Sequence, residues 1–144
     1  MITVPDLQKY SLFGGLMAEQ IERVIPLLTI ESYQKDAHII TEGERNDRIR
    51  FIIDGRVLVI RNGTTLVELG EGETFGEMEI LDVMPAVATV KALVPTRVAA
   101  ISNRALRDIY KSDVSTFSMI IMNLARDLSR RLRHMDELAC QEKK

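Results

Sequence analysis

The chain has 144 residues, a formal net charge of −2 and a sequence pI near 5.7; the length suits one domain with a sizeable core, and the charge gives no overall basic surface for nucleic acid. Its single cysteine, Cys140, excludes an internal disulfide or a cysteine-based metal cluster, and with only His38 and His134 as histidines a zinc or iron centre is not expected. No apolar run approaches the roughly 18 residues of a membrane span, and Met1 to Pro5 lacks a charged start followed by an apolar stretch, so a cytoplasmic location is the default expectation.

In chain order, residues 6–13 and 18–28 read as helices separated by Gly14-Gly15, the second carrying Ile21, Val24, Ile25 and Leu28 at helical spacing and shortened or kinked by Pro26. From Thr29 the apolar period becomes two, and turn residues recur at Lys35-Asp36, Glu42-Gly43-Glu44, Asp54-Gly55, Asn62-Gly63 and Gly70-Glu71-Gly72. That pattern predicts an antiparallel all-β core over 29–101, with Asn62-Gly63 as a two-residue hairpin turn. Within it, Gly76 permits a turn, Met78, Ile80 and Leu81 lie in a run of helix formers, and Pro85 ends the segment. A short helix of this kind exposes first-turn N–H groups that favour an anion, so the segment reads as a small phosphate cradle. Strands follow at 89–93 and 97–101, with Pro95 in the turn between them. Ser102 or Asn103 then caps a helix through Tyr110, Ser112 or Asp113 caps a last helix towards Leu138, and residues 139–144 form a tail.

The run Phe75-Gly76-Glu77-Met78, Ile80-Leu81, Pro85 and Ala88-Thr89 resembles the phosphate-binding cassette of the cyclic nucleotide-binding domain family. The strand pattern of Ile40, Glu42-Gly43-Glu44, Asp47, Phe51-Ile52, Gly55, Val57 and Val59 is similar too, so the likeness runs from about Leu12 to Leu132. It implies a mainly β fold: a jelly-roll-like β-roll with N-terminal helices anchored by Phe13 and Leu16, and a long C-terminal helix. It also implies a ligand-sensing regulatory module of signal transduction rather than an enzyme, with no cofactor. Its ligand would be a cyclic nucleotide or another small anion held by cassette residues 75–78 and 86–89. In that family the residue at Glu77 binds the ribose 2′-hydroxyl. The residue-level alternative is that Glu77 accepts hydrogen bonds from its own helix, and Thr89 is similarly divided between strand filler and phosphate neighbour.

Two positions depart from the family pattern. Ala86 stands where an arginine pairs with the cyclic phosphate, and Glu79 stands where a small residue is usual; Val87 and Ala88 complete the segment. Weak or absent binding of cyclic AMP and cyclic GMP is therefore expected, unless Arg50 or Lys91 reaches the phosphate. Arg50 replaces a usual aromatic and shares a strand face with Ile52, so a carboxylate, a ligand phosphate or solvent must receive it. Glu79 is the carboxylate this reading selects.

In the last helix Phe117, Ile121, Leu124, Leu128, Arg131, Met135 and Leu138 follow a four-three spacing, widened by Ile120 and Leu132. This seam suits a parallel homodimer; the other reading lays part of the helix on its own roll. Arg126, Arg130, Arg131 and Arg133 read as its solvated flank. Because the sequence stops at Lys144, without the helix-turn-helix domain of the catabolite-activator family, direct DNA binding is not expected, and an unidentified effector protein would read the switch. Two further classes stay open. One is a ligand-free relative used for dimerisation or docking; the other is a metal enzyme of the cupin kind, for which His38 alone is an inadequate ligand set.

Overall fold

A computed structural model describes residues 2–142. Thr3 caps the first helix, α1 (Val4–Gln8): its hydroxyl accepts from the Asp6 amide, and the Asp6 carboxylate accepts from the Thr3 amide. The chain then breaks into a 3₁₀ turn at Ser11–Phe13, so the continuous helix expected over 6–13 is in fact two short pieces. Helix α2 (Ala18–Val24) passes into a second 3₁₀ turn, Ile25–Leu27, where Pro26 removes an amide donor.

Eight strands follow: β1 (Thr29–Tyr33), β2 (His38–Ile40), β3 (Arg48–Asp54), β4 (Val57–Arg61), β5 (Thr64–Leu69), β6 (Thr74–Phe75), β7 (Thr89–Ala92) and β8 (Thr96–Ser102). They form two four-stranded antiparallel sheets, ordered β1-β8-β3-β6 and β2-β7-β4-β5. Asn62 and Gly63 both take positive φ, 50° and 76°, as the two-residue hairpin between β4 and β5 requires.

Strand alternation divides the core in two. Ile52, Phe75 and Val98 meet Val57, Leu69, Val90 and Ala92 of the second sheet inside the roll. Ile49, Phe51, Ala99 and Ile101 point the other way, onto a helical layer of Leu7, Leu12, Phe13, Ile21 and Val24. β3 and β8 are covered on both faces, which is why their apolar residues run on almost without interruption. Phe51 centres the outer layer, edge-on to Phe13 at 5.4 Å and tilted against Tyr10 at 5.1 Å.

Ser102 caps α4 (Asn103–Ser112) by accepting from the Ala105 amide, and Asp113 accepts from the Thr116 amide at the start of α5 (Val114–Glu142). Helix α5 therefore runs beyond Leu138, so the expected tail is helical as far as residue 142; Lys143 and Lys144 lie outside the described residues. The seam on α5 is not uniform. Leu124 is fully buried with Ile120 against the chain's own roll, Phe117 and Ile121 pack beside them, and Asn123 Nδ2 donates to the carbonyls of Leu12 and Gly14, each at 2.9 Å. Leu124 is thus withdrawn from the set available to a second copy. Leu128 is half-buried, and from Leu132 to Gln141 every residue is exposed. Among the described residues no helix is long and apolar enough to cross a membrane.

Candidate ligand cassette

The cassette begins where β6 turns into α3 (Glu77–Asp82). Gly76 makes that turn at φ 84°, and a Cβ there would sit 2.8 Å from the Arg48 carbonyl oxygen, so the position excludes a side chain on two counts. Helix α3 stops at Asp82, earlier than Pro85 demands, because Val83 takes the left-handed conformation at φ 57°. A β-branched residue is unfavourable there, and the effect is to turn Val83 and Met84 outward.

The first turn of α3 carries carboxylates of its own. Glu77 is 4% exposed and Glu79 8%. Arg131 of α5 reaches the first: its Nη1 donates to Glu77 Oε1 at 3.0 Å, and its Nη2 donates to the Thr74 carbonyl. Burial pushes the Glu77 carboxyl above the ordinary carboxylate range, opposed by the Arg131 guanidinium and reinforced by Asp127. Burial also raises Glu79, against the amide hydrogen bond from Asn46 Nδ2 at 3.3 Å.

Asn46 organises the other side of the cassette. Its Nδ2 also donates to the Gly76 carbonyl at 3.1 Å, while its Oδ1 accepts from Arg50 Nη1 at 2.9 Å. Arg50 lies on the inner face opposite Phe75, 8% exposed, and its Nε donates to Glu31 Oε1 at 2.7 Å. The carboxylate that receives Arg50 is therefore Glu31 of β1, not Glu79; β1 and β3 both pair with β8, which sets their inward side chains side by side. Tyr33 donates its hydroxyl to the same Glu31 oxygen, and Arg48 Nη1 pairs with the other at 3.2 Å.

Ala86 is buried among Ile39, Ile40, Val57 and Phe75. Its amide donates to the Glu44 carbonyl and its carbonyl accepts from the Gly43 amide, both at 2.8 Å. Lys91 points away from this interior, since its neighbours Val90 and Ala92 occupy it, and its Nζ lies 3.8 Å from Asp36. Thr89 is half-buried and accepts from the Glu42 amide at 3.0 Å; Val87 is half-buried, Ala88 buried and Met78 exposed. Each cation offered by the sequence as a substitute for the missing arginine is therefore already engaged or turned outward.

Glu31 and Asn46 are not among the candidate residues: Glu31 meets Arg50 only because β1 and β3 share β8, and Asn46 meets Gly76 and Glu79 only because its loop folds against the start of α3. Arg131 did carry a signal, as the one polar member of an apolar seam. Among the described residues no three His, Cys, Asp or Glu side chains gather as a metal site.

Residues 30–113 match the family described as the cyclic nucleotide-binding domain. The chain is 29% identical over 130 residues to the cyclic AMP receptor protein of Thermus thermophilus, covering 87% of this chain and 58% of that one. It is 32% identical over 88 residues to the cAMP-dependent protein kinase regulatory subunit of Debaryomyces hansenii, covering 60% of this chain and 20% of that one. Among solved structures, a cyclic nucleotide-binding domain from Methylobacillus flagellatus superposes with a TM-score of 0.83 at 27% identity, over 91% of this chain and 76% of that one.

Proposed function

The chain belongs to the cyclic nucleotide-binding domain family, and from that premise we propose that it is a regulatory module of signal transduction whose cassette binds cyclic AMP and cyclic GMP weakly or not at all. The observation that carries this reading is the buried Ala86 at the arginine's place, with Arg50 committed to Glu31 and Arg131 to Glu77. A phosphate entering the cassette meets the carboxylates of Glu77, Glu79 and Asp82 on α3, with Arg50 held by Glu31 and Arg131 by Glu77. Losing one partner of a buried charge pair costs about 2 to 5 kcal/mol, or roughly 30-fold to several thousand-fold in affinity. A micromolar site becomes millimolar or undetectable.

Calorimetry of the native chain beside Ala86→Arg tests this. The native chain should give no measurable heat with either nucleotide at concentrations of tens of micromolar. Micromolar native binding would refute the reading, and an Ala86→Arg variant that still ignores both nucleotides would shift the cause to Glu79 and the polar network behind it.

A specific observation favours a second role, that of a dimerising or docking unit. The exposed half of α5 presents Leu132, Met135 and Leu138 at 61, 61 and 46% exposure, an apolar flank suited to a second copy of the chain. In this reading the dimer forms through α5 beyond Leu128, and Leu124 contributes only to the protomer core. An effector protein would read the assembled form.

A further inference from the structure

The outer face of the first sheet runs past its helical cover. Ile49, Phe51 and Ile53 of β3 point to that face, as do Arg97, Ala99 and Ile101 of β8 and, opposite Ala99, Ile30 of β1. The helical layer seals Phe51, Ala99 and Ile101, whereas Ile30 stays 46% exposed and Ile53 half-buried. Where the cover ends, a cleft of about 430 Å³ opens, a volume that suits a small organic ligand. Its apolar lining is Ile2, Ile30, Ile53 and the ring of Tyr10, and its charged lining is Asp6, Lys9, Asp54, Glu71 and Arg97.

These charges are not equally available. Arg97 is clasped by Asp54, its Nε and Nη2 both donating to Oδ2 at 2.8 and 2.6 Å. Asp6 accepts from the amide and the hydroxyl of Thr3 at 2.9 and 2.8 Å, and these bonds, with Lys9 adding its charge, hold the Asp6 carboxyl below the ordinary range. Glu73 accepts from the Gly70 amide at 2.7 Å, but Glu71 of the same turn makes no ion pair or side-chain hydrogen bond among the described residues. The turn is held against β3 and Tyr10: the Gly72 amide donates to the Ile52 carbonyl at 2.8 Å, and a Cβ on Gly72 would lie 3.3 Å from Tyr10 Cδ1. The Tyr10 hydroxyl also has no hydrogen-bond partner among the described residues, and burial, then the charges of Glu71, Asp6 and Asp54, raise its titration. Carboxylates thus outnumber cations in a cleft that is apolar for much of its lining.

We propose that this cleft binds a small organic cation, with an apolar body against Ile2, Ile30, Ile53 and the Tyr10 ring and an ammonium or guanidinium group donating to Glu71 and to the Tyr10 oxygen. An anion there meets three carboxylates and an arginine that is already paired. A wholly apolar molecule strips water from Glu71 and Tyr10 and replaces none of its hydrogen bonds. The cleft lies on the face of the first sheet opposite Arg50, so its occupant shares no residue with the cassette.

Titration of the full chain followed by amide NMR tests this. Phenethylammonium should saturate with a dissociation constant of about 1 mM or tighter, moving the amides of Tyr10, Ile30, Ile53 and Glu71 and leaving those of residues 77–89 in place. Hydrocinnamate, the same body with the opposite charge, should bind at least about tenfold more weakly, and so should methylammonium, the charge without the body. Glu71→Gln should weaken phenethylammonium at least about tenfold, whereas Glu44→Gln, at an exposed carboxylate outside the cleft, should leave it unchanged. Both substitutions fall on exposed positions, and an unchanged urea midpoint checks that each variant is folded. Absence of saturation at about 10 mM, equal binding of phenethylammonium and hydrocinnamate, or a Glu71→Gln variant that binds as the native chain does would each overturn the proposal. Nucleotide calorimetry at the cassette is independent of every one of these outcomes.

Discussion

Glu79 is the residue whose chemistry says most about the state of the cassette. It is buried, its one side-chain hydrogen bond comes from Asn46, and Glu77 and Asp82 add their charge to the rise in its titration. The folded chain therefore holds the Glu79 proton more tightly than the unfolded chain does. For such a group, stability increases as pH falls from neutral towards the ordinary carboxylate range, and the gain is lost again as pH rises through the raised value. Glu77 acts in the same direction, less the pull of Arg131. The denaturant midpoint should accordingly be higher near pH 5 than near pH 7. Glu79→Gln keeps an acceptor for Asn46 without the charge, so it should flatten that difference and stabilise the chain at neutral pH. A native midpoint that drops steadily on acidification over this interval would contradict the assignment.

At the level of the element, α5 is one helix with two environments. Leu124 and Leu132 occur in the same stripe, yet one is sealed against Ile120 and the helical layer and the other stands in solvent. At low protein concentration, where a dimer makes no contribution, Leu124→Ala should cost about 2 to 5 kcal/mol. Leu132→Ala should stay within about 0.5 kcal/mol under the same conditions. Equal effects in urea unfolding would mean that the helix packs differently. This division was not legible in the sequence, because a four-three apolar spacing looks the same whether it faces the chain's own sheet or another molecule. What was legible is local. Asn62-Gly63, Pro26 and Ser102 act through their own backbone or side-chain atoms, and the structure places a hairpin, a shortened helix and a cap there. The partner of Arg50 is the opposite case: Glu31 lies 19 residues earlier and meets it only because β1 and β3 share β8. The link from Arg131 to Glu77 spans 54 residues and depends on where α5 lies over the roll.

Across the whole molecule, the layer over Phe51 is assembled from both ends of the chain. Leu7, Leu12, Phe13 and Ile21 come from the start, and Ile120 and Leu124 from the last helix, stitched by Asn123 to the carbonyls of Leu12 and Gly14. Ser11 adds a bond to Asp127 at 2.9 Å. This has a consequence for synthesis on the ribosome. At about 5 to 20 residues per second, the interval between the emergence of Leu12 and that of Leu124 is on the order of ten seconds. Through that time the amino-terminal turns lack the cover that α5 supplies, and β1 has no partner until β8 is made. Until α5 is made, the nascent segment keeps an apolar layer open that folding chaperones would bind. A fragment ending at Ser112 should imitate that intermediate, taking up an apolar dye that the full chain ignores; a fragment that unfolds as cooperatively as the full chain would show that α5 is not needed to close the layer.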